Sequence, residues 1–232
     1  MRFPKTRFVL TFLCGLAATG TTVCDDFATP AELETPQILG IAADPPAVAP
    51  GAATTMSLLV AGPDGEIETP SVVWEVVSLN PAFPPVGTVD DGSGAPIYTA
   101  PDMVEQEPTL AMVQASVQTS DGLLLGQKAV VVAPFIASNP TLVKFTADTV
   151  DLLTNDLQLA QGQTVSLELG IDPEQDQDTT YSWYSTIGSI EQYRSAPAEM
   201  VAPDEAGSGW LFAVIRDGRG GIVWHKVRVT VL

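Results

Sequence analysis

Residues 164–171 read TVSLELGI, and residues 226–231 read KVRVTV. In both stretches apolar and polar side chains alternate, so that the apolar residues fall on one side of the extended chain and the polar residues on the other. Alternation with a period of two is typical of a β-strand whose sheet has one buried face and one solvated face. Helical periodicity is absent from every long window of the sequence. The chain is therefore predicted to be all-β.

The same order of motifs occurs twice along the chain. The first copy contains SVVWEV (71–76), GTVDDGSGAPIYTAPD (87–102) and LAMVQASVQTSDG (110–122), and the second contains TYSWYSTIGSI (180–190), EMVAPD (199–204) and GWLFAVIRDGRGG (209–221). The matching positions are Gly51 with Gly162, Trp74 with Trp183, Ala100-Pro101-Asp102 with Ala202-Pro203-Asp204, and Asp121-Gly122 with Asp217-Gly218. Their separation of roughly 100 residues indicates a repeated domain, since solenoid repeats have much shorter periods.

Turn residues separate the predicted strands of each repeat. Examples are Gly62-Pro63-Asp64-Gly65 and Asp90-Asp91-Gly92, which tolerate positive φ or preset a turn. The composition agrees, because 45% of residues are hydrophobic, only 16% are charged, and there are 19 Gly and 19 Pro. A single sheet of this size would leave an apolar face in water, so each repeat is predicted to be a two-sheet sandwich.

The tryptophans divide into two pairs. Trp74 and Trp183 lie within apolar strands, which predicts that they fill the space between two sheets and do not stack on a ligand. Trp224 has the same parity as Lys226 and Arg228, which predicts that it faces solvent unless a β-bulge intervenes.

Each repeat resembles a bacterial immunoglobulin-like or PKD-like domain. The matching features are a strand led by glycine, a tryptophan on a central strand, a Tyr-Thr-Ala-Pro or Val-Ala-Pro corner, and a closing hairpin. The resemblance implies two tandem immunoglobulin-like β-sandwiches at residues 36–134 and 140–232, with a linker at 135–139. Inter-sheet cysteines are absent from both repeats, and Met200-Val201 stands where the first repeat has Tyr98-Thr99.

Residues 1–23 have the three parts of a secretory signal peptide, namely a basic start, an apolar run over residues 8–18, and small residues. The run is shorter than the ~20 residues that a membrane-spanning helix needs, so we expect export.

The segment resembles a bacterial lipoprotein signal. It departs from that pattern at two positions, since Val23 stands where Gly or Ala is usual and Thr21 stands where Leu is usual. The resemblance implies lipidation of Cys24, and residues 24–35 would form a flexible tether to a membrane of the cell envelope. Ordinary cleavage near residues 18–20 would instead leave Cys24 as a free thiol in a soluble periplasmic or secreted protein.

The charge of the chain argues against a nucleic-acid partner. The sequence has 28 acidic and 10 basic residues, a formal charge of −18. Arg2, Lys5 and Arg7 lie in the predicted signal peptide, so its removal makes the charge about −21. Nucleic-acid affinity depends on Lys and Arg that displace counterions from phosphates, and this surface would repel them.

Few residues suit catalysis or metal binding. His225 is the single histidine, no G-x-S-x-G motif occurs, and two cysteines with one histidine cannot build a transition-metal site. We therefore expect neither an enzyme nor a cofactor, and interpret His225 as an ordinary strand residue. Arg216-Asp-Gly-Arg-Gly-Gly221 is predicted to be a hairpin turn, because a strand follows where a phosphate loop needs a helix.

Calcium needs only oxygen ligands, and two acidic loops are weak candidates for it. The longer loop presents carboxylates at alternate positions, and the shorter one is Asp90–Gly94. Neither has the ligand order of an EF-hand, so solvated turns are the favoured interpretation. The carboxylates of the longer loop are Asp172, Glu174, Asp176 and Asp178.

Two functional hypotheses remain open. In the first, the chain is a non-catalytic cell-envelope lipoprotein that serves as a structural spacer or accessory module. In the second, it is an adhesion-type module that binds an envelope protein or a glycan at a loop end or a sheet face. The second hypothesis predicts an exposed apolar patch of a few hundred Å², with Trp224, Trp210, Tyr184 and Tyr193 as candidates.

Overall fold

The computed structural model describes residues 30–68, 71–78, 80, 82–92, 94–105, 108–135, 137–174 and 177–232. Over these ranges the chain forms eighteen β-strands and no helix, which confirms the all-β prediction. In the same ranges there is accordingly no helix with the length and hydropathy to cross a membrane. The predicted signal peptide, Cys24 and the start of the predicted tether lie outside the described residues.

The first nine strands form one sandwich of two sheets. Their bounds are β1 Gln37–Asp44, β2 Ala47–Val48, β3 Ala53–Gly62, β4 Gly65–Glu66, β5 Ser71–Val77, β6 Thr88–Asp90, β7 Ile97–Thr99, β8 Thr109–Thr119 and β9 Gly122–Val132. One sheet has the order β1-β3-β7-β6, with β4 paired to β3, and the other has the order β2-β9-β8-β5. We call this unit the first sandwich.

The last nine strands form the second sandwich. Their bounds are β10 Thr141–Ala147, β11 Val150–Asp151, β12 Leu157–Leu159, β13 Thr164–Asp172, β14 Thr180–Ser185, β15 Ser189–Glu191, β16 Ala198–Val201, β17 Gly207–Arg216 and β18 Ile222–Val231. One sheet has the order β11-β10-β13-β16-β15, and the other has the order β12-β18-β17-β14.

The two sandwiches have the same topology. In each, a short strand crosses to the opposite sheet and pairs in parallel with the last strand, β2 with β9 and β12 with β18. The remaining pairs of strands are antiparallel. This order places the first, second, fifth and fourth main strands in one sheet and the third, sixth and seventh in the other, as in immunoglobulin domains. The chain thus contains two tandem immunoglobulin-like β-sandwiches.

The repeated Gly and Ala-Pro-Asp motifs build the same corner in both sandwiches. The Gly51 N–H donates to the Pro101 carbonyl at 2.9 Å, and the Gly162 N–H donates to the Pro203 carbonyl at 3.1 Å. Each bond ties the start of one strand to the end of the strand beside it. The sequence repeat therefore reflects a repeated backbone contact.

Each sandwich has its own hydrophobic core. Trp74 is 8% exposed in the first core and Trp183 is fully buried in the second, so the prediction that both fill the space between sheets is confirmed. The Trp183 indole N–H donates to the Ser195 carbonyl at 2.8 Å, which satisfies its one polar group. The Phe145 ring packs beside it, with a distance of 5.6 Å between ring centroids.

A third cluster joins the two sandwiches, and we call it the boundary cluster. It forms where the outer face of the β1-β3 sheet meets the outer face of the β14-β17-β18 sheet. Both sheets are therefore apolar on two faces over this overlap, which strengthens the attachment by apolar burial. Its buried members are Leu33, Leu39, Ala42, Leu59, Ala61, Phe212, Val214 and Ile222, with Tyr184, Trp210 and Trp224 packed against them.

The prediction that Trp224 faces solvent is wrong. Trp224 does lie on the same side of β18 as Lys226 and Arg228, as its parity requires. That side, however, is covered at Trp224 by the first sandwich, where a Cβ on Gly40 would lie only 3.3 Å from the indole. The physical reason is that a second domain, and not water, meets this part of the outer face.

The segment before β1 also differs from the prediction. The sequence predicts a flexible tether over residues 24–35, but in its described part, residues 30–35, Ala31 and Leu33 are buried and Glu32 bridges Ser185 in parallel. The Ser185 N–H donates to the Ala31 carbonyl at 2.8 Å, and the Leu33 N–H donates to the Ser185 carbonyl at 2.9 Å. This segment covers the open edge of β14, whose backbone groups would otherwise lack strand partners. The end of the predicted tether is therefore part of the folded body.

Candidate recognition surfaces

Polar contacts surround the boundary cluster and fix the two sandwiches against each other. Lys226 forms an ion pair with Glu66 at 2.5 Å, and the Arg216 guanidinium donates to the Leu39 carbonyl at 2.8 Å. Asn139, in the predicted linker, donates to the Ala43 carbonyl at 2.8 Å and accepts from a backbone N–H of β18 at 3.0 Å. The linker is thus hydrogen-bonded to both sandwiches, which limits their relative motion.

The aromatic residues that were candidates for an exposed patch are already in contact with the protein itself. Trp210, Trp224 and Tyr184 pack on the boundary cluster, and Tyr193 packs on the second core. The prediction that they form a free recognition patch is therefore wrong.

Close backbone approach makes room for Trp210. Gly65 has φ of +108°, and a Cβ there would lie 2.5 Å from the indole Cδ1. Two cations also lie over the same ring, with the Lys226 Nζ at 5.6 Å and the Arg228 Cζ at 5.5 Å from its centroid. Trp210 thus contacts a glycine of the first sandwich and basic residues of its own sandwich.

A cleft of about 490 Å³ lies beside the boundary cluster, between β1, β9 and the turn at residues 217–221. Lys128 reaches across it to the Gly220 carbonyl. Burial lowers the pKa of Lys128, the Asp217 carboxylate opposes that shift, and Arg216 adds to it. Lys128 and Arg216 both hold carbonyl oxygens across the boundary, so the cleft is chemically part of the attachment between the sandwiches.

A second depression opens at one loop end of the first sandwich, and we call it the loop-end pocket. It has a volume of about 510 Å³. Phe83 and Met103 stand at its edge with 64% and 86% of their surfaces exposed, far more than apolar side chains of this size usually are. Its lining is Phe83, Pro84, Pro85, Val86, Gly87, Pro101, Met103, Val104, Glu105 and Thr109.

Hydrogen bonds to the sandwich hold both walls of the loop-end pocket. The buried Tyr98 hydroxyl donates to the Val86 carbonyl at 3.0 Å, and burial raises the pKa of this phenol to about 12. On the other wall, the Pro101 carbonyl accepts the N–H of Gly51. Asn80 arranges the entrance, since its side chain accepts from the Ala82 N–H at 3.0 Å. The walls are therefore positioned before any partner arrives.

The described lining of the loop-end pocket is acidic. Among the lining residues that the structure describes, Glu105 is the single charged one. Lys128 is the only basic residue between positions 36 and 134, and it is turned toward the second sandwich. Eleven acidic residues occupy the same stretch of sequence. A cationic partner would therefore meet favourable potential over the whole first sandwich.

Three of the calcium candidates lie on the surface, and the fourth lies outside the described residues. Asp172, Glu174 and Asp178 are exposed, and Asp176 falls in a part of the chain that the structure does not describe. Across the described ranges no three His, Cys, Asp or Glu side chains come together as metal ligands would. In the shorter loop, Asp90 accepts from the Gly92 N–H at 3.0 Å, as in an ordinary turn.

The remaining sequence candidates are structural. Residues 217–221 join β17 to β18 as a hairpin, as predicted, with the Asp217 carboxylate accepting the N–H groups of Arg219 and Gly221 at 2.8 Å each. The His225 ring lies 3.2 Å from the Leu152 carbonyl and meets Phe145 edge-on at 5.7 Å. These contacts give the imidazole a packing role within the second sandwich.

No family model matches the sequence, and no curated protein matches it. Among solved structures, tandem immunoglobulin repeats of Dlar are 14% identical over 85% of this chain and 97% of theirs, with a TM-score of 0.32. Domains 4 and 5 of the surface-layer protein SbsC are 18% identical over 87% of this chain and 100% of theirs, with a TM-score of 0.26.

A nucleoside hydrolase-related hypothetical protein from Saccharophagus degradans, associated with carbohydrate metabolism, is also similar. It is 24% identical over 41% of this chain, with a TM-score of 0.32, and the match covers 26% of its own length. Every one of these TM-scores is below 0.5. The fold assignment therefore rests on the strand order of this chain.

Proposed function

We propose that the protein is a non-catalytic accessory module of the cell envelope that binds an apolar, positively charged segment of another protein at the loop-end pocket. The observation that carries this proposal is the pair Phe83 and Met103, both mostly exposed beside a preformed pocket. Exposed apolar groups in a positioned pocket supply the hydrophobic contact, and the acidic surroundings supply the preference for a cation.

A protein segment suits this pocket better than a glycan does. Within the described part of the lining, Phe83 is the single aromatic residue, and the tryptophans and tyrosines considered above pack elsewhere. Three prolines stiffen the walls, so little conformational entropy is lost when an apolar side chain enters.

A purely structural spacer is less favoured. The boundary cluster packs an outer sheet face of the first sandwich against an outer sheet face of the second, whereas a spacer would gain length from sandwiches joined only at their ends. An accessory module needs only a fixed shape that presents its loop end. The fixed shape follows from the boundary cluster and the ion pair between Lys226 and Glu66.

The cellular address in this proposal comes from the N-terminal sequence. We infer export from the pattern of residues 1–23, and a lipid on Cys24 would hold the folded body near a membrane. Mass spectrometry of the membrane fraction tests this part, with an acylated Cys24 as the mature N-terminus expected. A mature N-terminus beyond Cys24 would contradict it.

The binding site is tested by a titration followed by NMR of the ¹⁵N-labelled mature chain. The probe is a peptide of alternating Leu and Lys, with a Leu and Glu peptide of equal length as the charge control. We expect the first peptide to shift the amide signals of Val86, Gly87 and Val104, and to bind more weakly as salt rises.

Two variants and a matched control complete the test. Phe83→Ser and Met103→Ser are each expected to weaken binding about tenfold, the equivalent of ~1.4 kcal/mol. Val143→Ser removes an apolar side chain of similar exposure, 56%, from the second sandwich and should leave binding unchanged. Equal binding of both peptides, or equal affinity of all three variants, would overturn the proposal.

A further inference from the structure

The outer face of the β5-β8-β9 sheet is open to solvent, and its counterpart in the second sandwich is not. Trp74 faces Ala115 across β5 and β8, as Trp183 faces Ala213 across β14 and β17. Counting from these pairs, the positions that correspond are Met112 with Trp210, Gln114 with Phe212, Leu123 with Ile222, and Leu125 with Trp224. The second member of each pair packs in the boundary cluster against the first sandwich.

The open face carries exposed apolar side chains, and no strand within the described ranges packs over them. Val73, Leu123 and Leu125 are 61%, 59% and 61% exposed, and Leu110 is 49% exposed. At the centre of the face three side chains are hydrogen-bonded in a row. Gln127 donates to Gln114 at 3.0 Å, and Gln114 donates to Glu75 at 2.7 Å.

The face is nearly free of charge in a chain with a formal charge of −18. Its outward positions are Ser71, Val73, Glu75, Val77, Leu110, Met112, Gln114, Ser116, Gln118, Leu123, Leu125, Gln127, Ala129 and Val131. Glu75 is the single charged side chain among them, and its carboxylate already accepts a hydrogen bond. By contrast, the outer face of the β10-β13-β16 sheet carries the ion pair of Lys144 with Glu168.

We infer that the open face is a weak homodimer interface, in which it packs against the same face of a second copy. A two-fold arrangement sets leucines against leucines and the row of glutamines against its copy, and a glutamine amide both donates and accepts hydrogen bonds. An uncharged face does not need a cationic partner. A second copy of this chain therefore fits, since its first sandwich has a single lysine. The corresponding face of the second sandwich already packs against a sandwich, there against the β1-β3 sheet.

The size of the face agrees with weak association. β8 and β9 pair over eleven residues each. At ~3.4 Å per residue and ~4.8 Å between strands, three strands give a face of about 500 Å². Two copies would bury about 1,000 Å², the lower limit for a specific interface.

Sedimentation velocity tests the inference on the full mature chain with Cys24→Ser, so that no acyl chain drives association. We expect reversible dimerisation that strengthens as salt rises, because salt screens the repulsion between two acidic bodies. Binding of the cationic peptide at the loop-end pocket weakens with salt, so failure of one proposal is distinguishable from failure of the other.

The variant is Leu125→Arg, with Val143→Arg as the control on the second sandwich. Both side chains are exposed, at 61% and 56%, so folding should be preserved, and far-UV circular dichroism verifies it. Leu125→Arg is expected to weaken the dimer at least about tenfold, and Val143→Arg to leave it unchanged. A monomer at every concentration and salt, or a dimer that Leu125→Arg does not affect, would overturn the inference. So would binding of an unrelated protein to this face of a chain that stays monomeric.

Discussion

Replacing Phe212 with alanine is expected to separate the unfolding of the two sandwiches. Phe212 is fully buried, and its side chain belongs to the boundary cluster and not to either sandwich core. Truncation of a buried phenylalanine costs about 3–5 kcal/mol. Because the lost contacts are those between the sandwiches, the loss falls on their coupling.

Differential scanning calorimetry measures this coupling directly. At about 0.7 kcal/mol per residue, roughly 200 folded residues should unfold in one transition with an enthalpy of about 140 kcal/mol near 60 °C. For the natural chain, the van't Hoff and calorimetric enthalpies should therefore agree. For Phe212→Ala, the van't Hoff enthalpy should fall toward the roughly 70 kcal/mol of a single sandwich.

Phe145→Ala is the matched control for this experiment. Phe145 is also a fully buried phenylalanine, but it lies in the core of the second sandwich. Its truncation should lower the midpoint while the two enthalpies stay equal. Two separate transitions in the natural chain, or an unchanged enthalpy ratio in Phe212→Ala, would show that the boundary cluster does not couple the two sandwiches.

Three further predictions concern single contacts. Burial raises the pKa of Tyr98 to about 12 from 10.0, so the unfolded chain loses this proton first and stability should fall between about pH 10 and 12. Tyr98→Phe should show a smaller fall in urea midpoints over that range, and an equal fall would contradict the assignment. Gly65→Ala should lower the free energy of unfolding by about 2 kcal/mol or more, because φ is +108° and the new Cβ meets Trp210. Gly94→Ala, which has open space around it, should change the free energy of unfolding little in the same denaturation assay. Asn139→Ala leaves a carbonyl of the first sandwich and an N–H of the second without their partner, so the free energy of unfolding should fall by about 2 kcal/mol. The control is Ser138→Ala at an exposed position. Equal urea midpoints for the two variants would show that Asn139 does not join the sandwiches.

The sequence predicts each sandwich well because strand periodicity and turn residues are local signals. Trp74 and Trp183 are buried as their apolar strands indicate, and the Asp217 turn joins two strands as its glycines indicate. The repeat makes the prediction firmer, because a turn that is ambiguous in one copy can be identified from the matching position in the other copy.

The contact between the sandwiches is not predictable from alternation alone. A period of two tells which residues share a face, but not whether water or another domain covers that face. Trp224 shows the consequence, since its parity is as predicted and its surroundings are not. A signal was present in β17, where Trp210, Phe212 and Val214 place apolar side chains on the face that alternation assigns to solvent.

The loop-end pocket depends on packing that loops do not encode locally. Phe83 and Met103 lie in different loops, about 20 residues apart in sequence, and strand pairing brings the loops together. The stretch AFPP at residues 82–85 indicates one wall of the pocket, because its two prolines cannot continue a strand and therefore place Phe83 in a loop. Nothing in the sequence indicated that the second wall would lie opposite.

The two sandwiches form one body through the boundary cluster and the contacts around it. A zero-length carbodiimide crosslink tests this most directly, because it joins only a carboxylate and an amine that are already in contact. We expect a product between Glu66 and Lys226, which are 2.5 Å apart across the boundary, together with the Lys144 to Glu168 product within the second sandwich. If the Lys144 to Glu168 product forms and the Glu66 to Lys226 product does not, the two sandwiches are not joined as described.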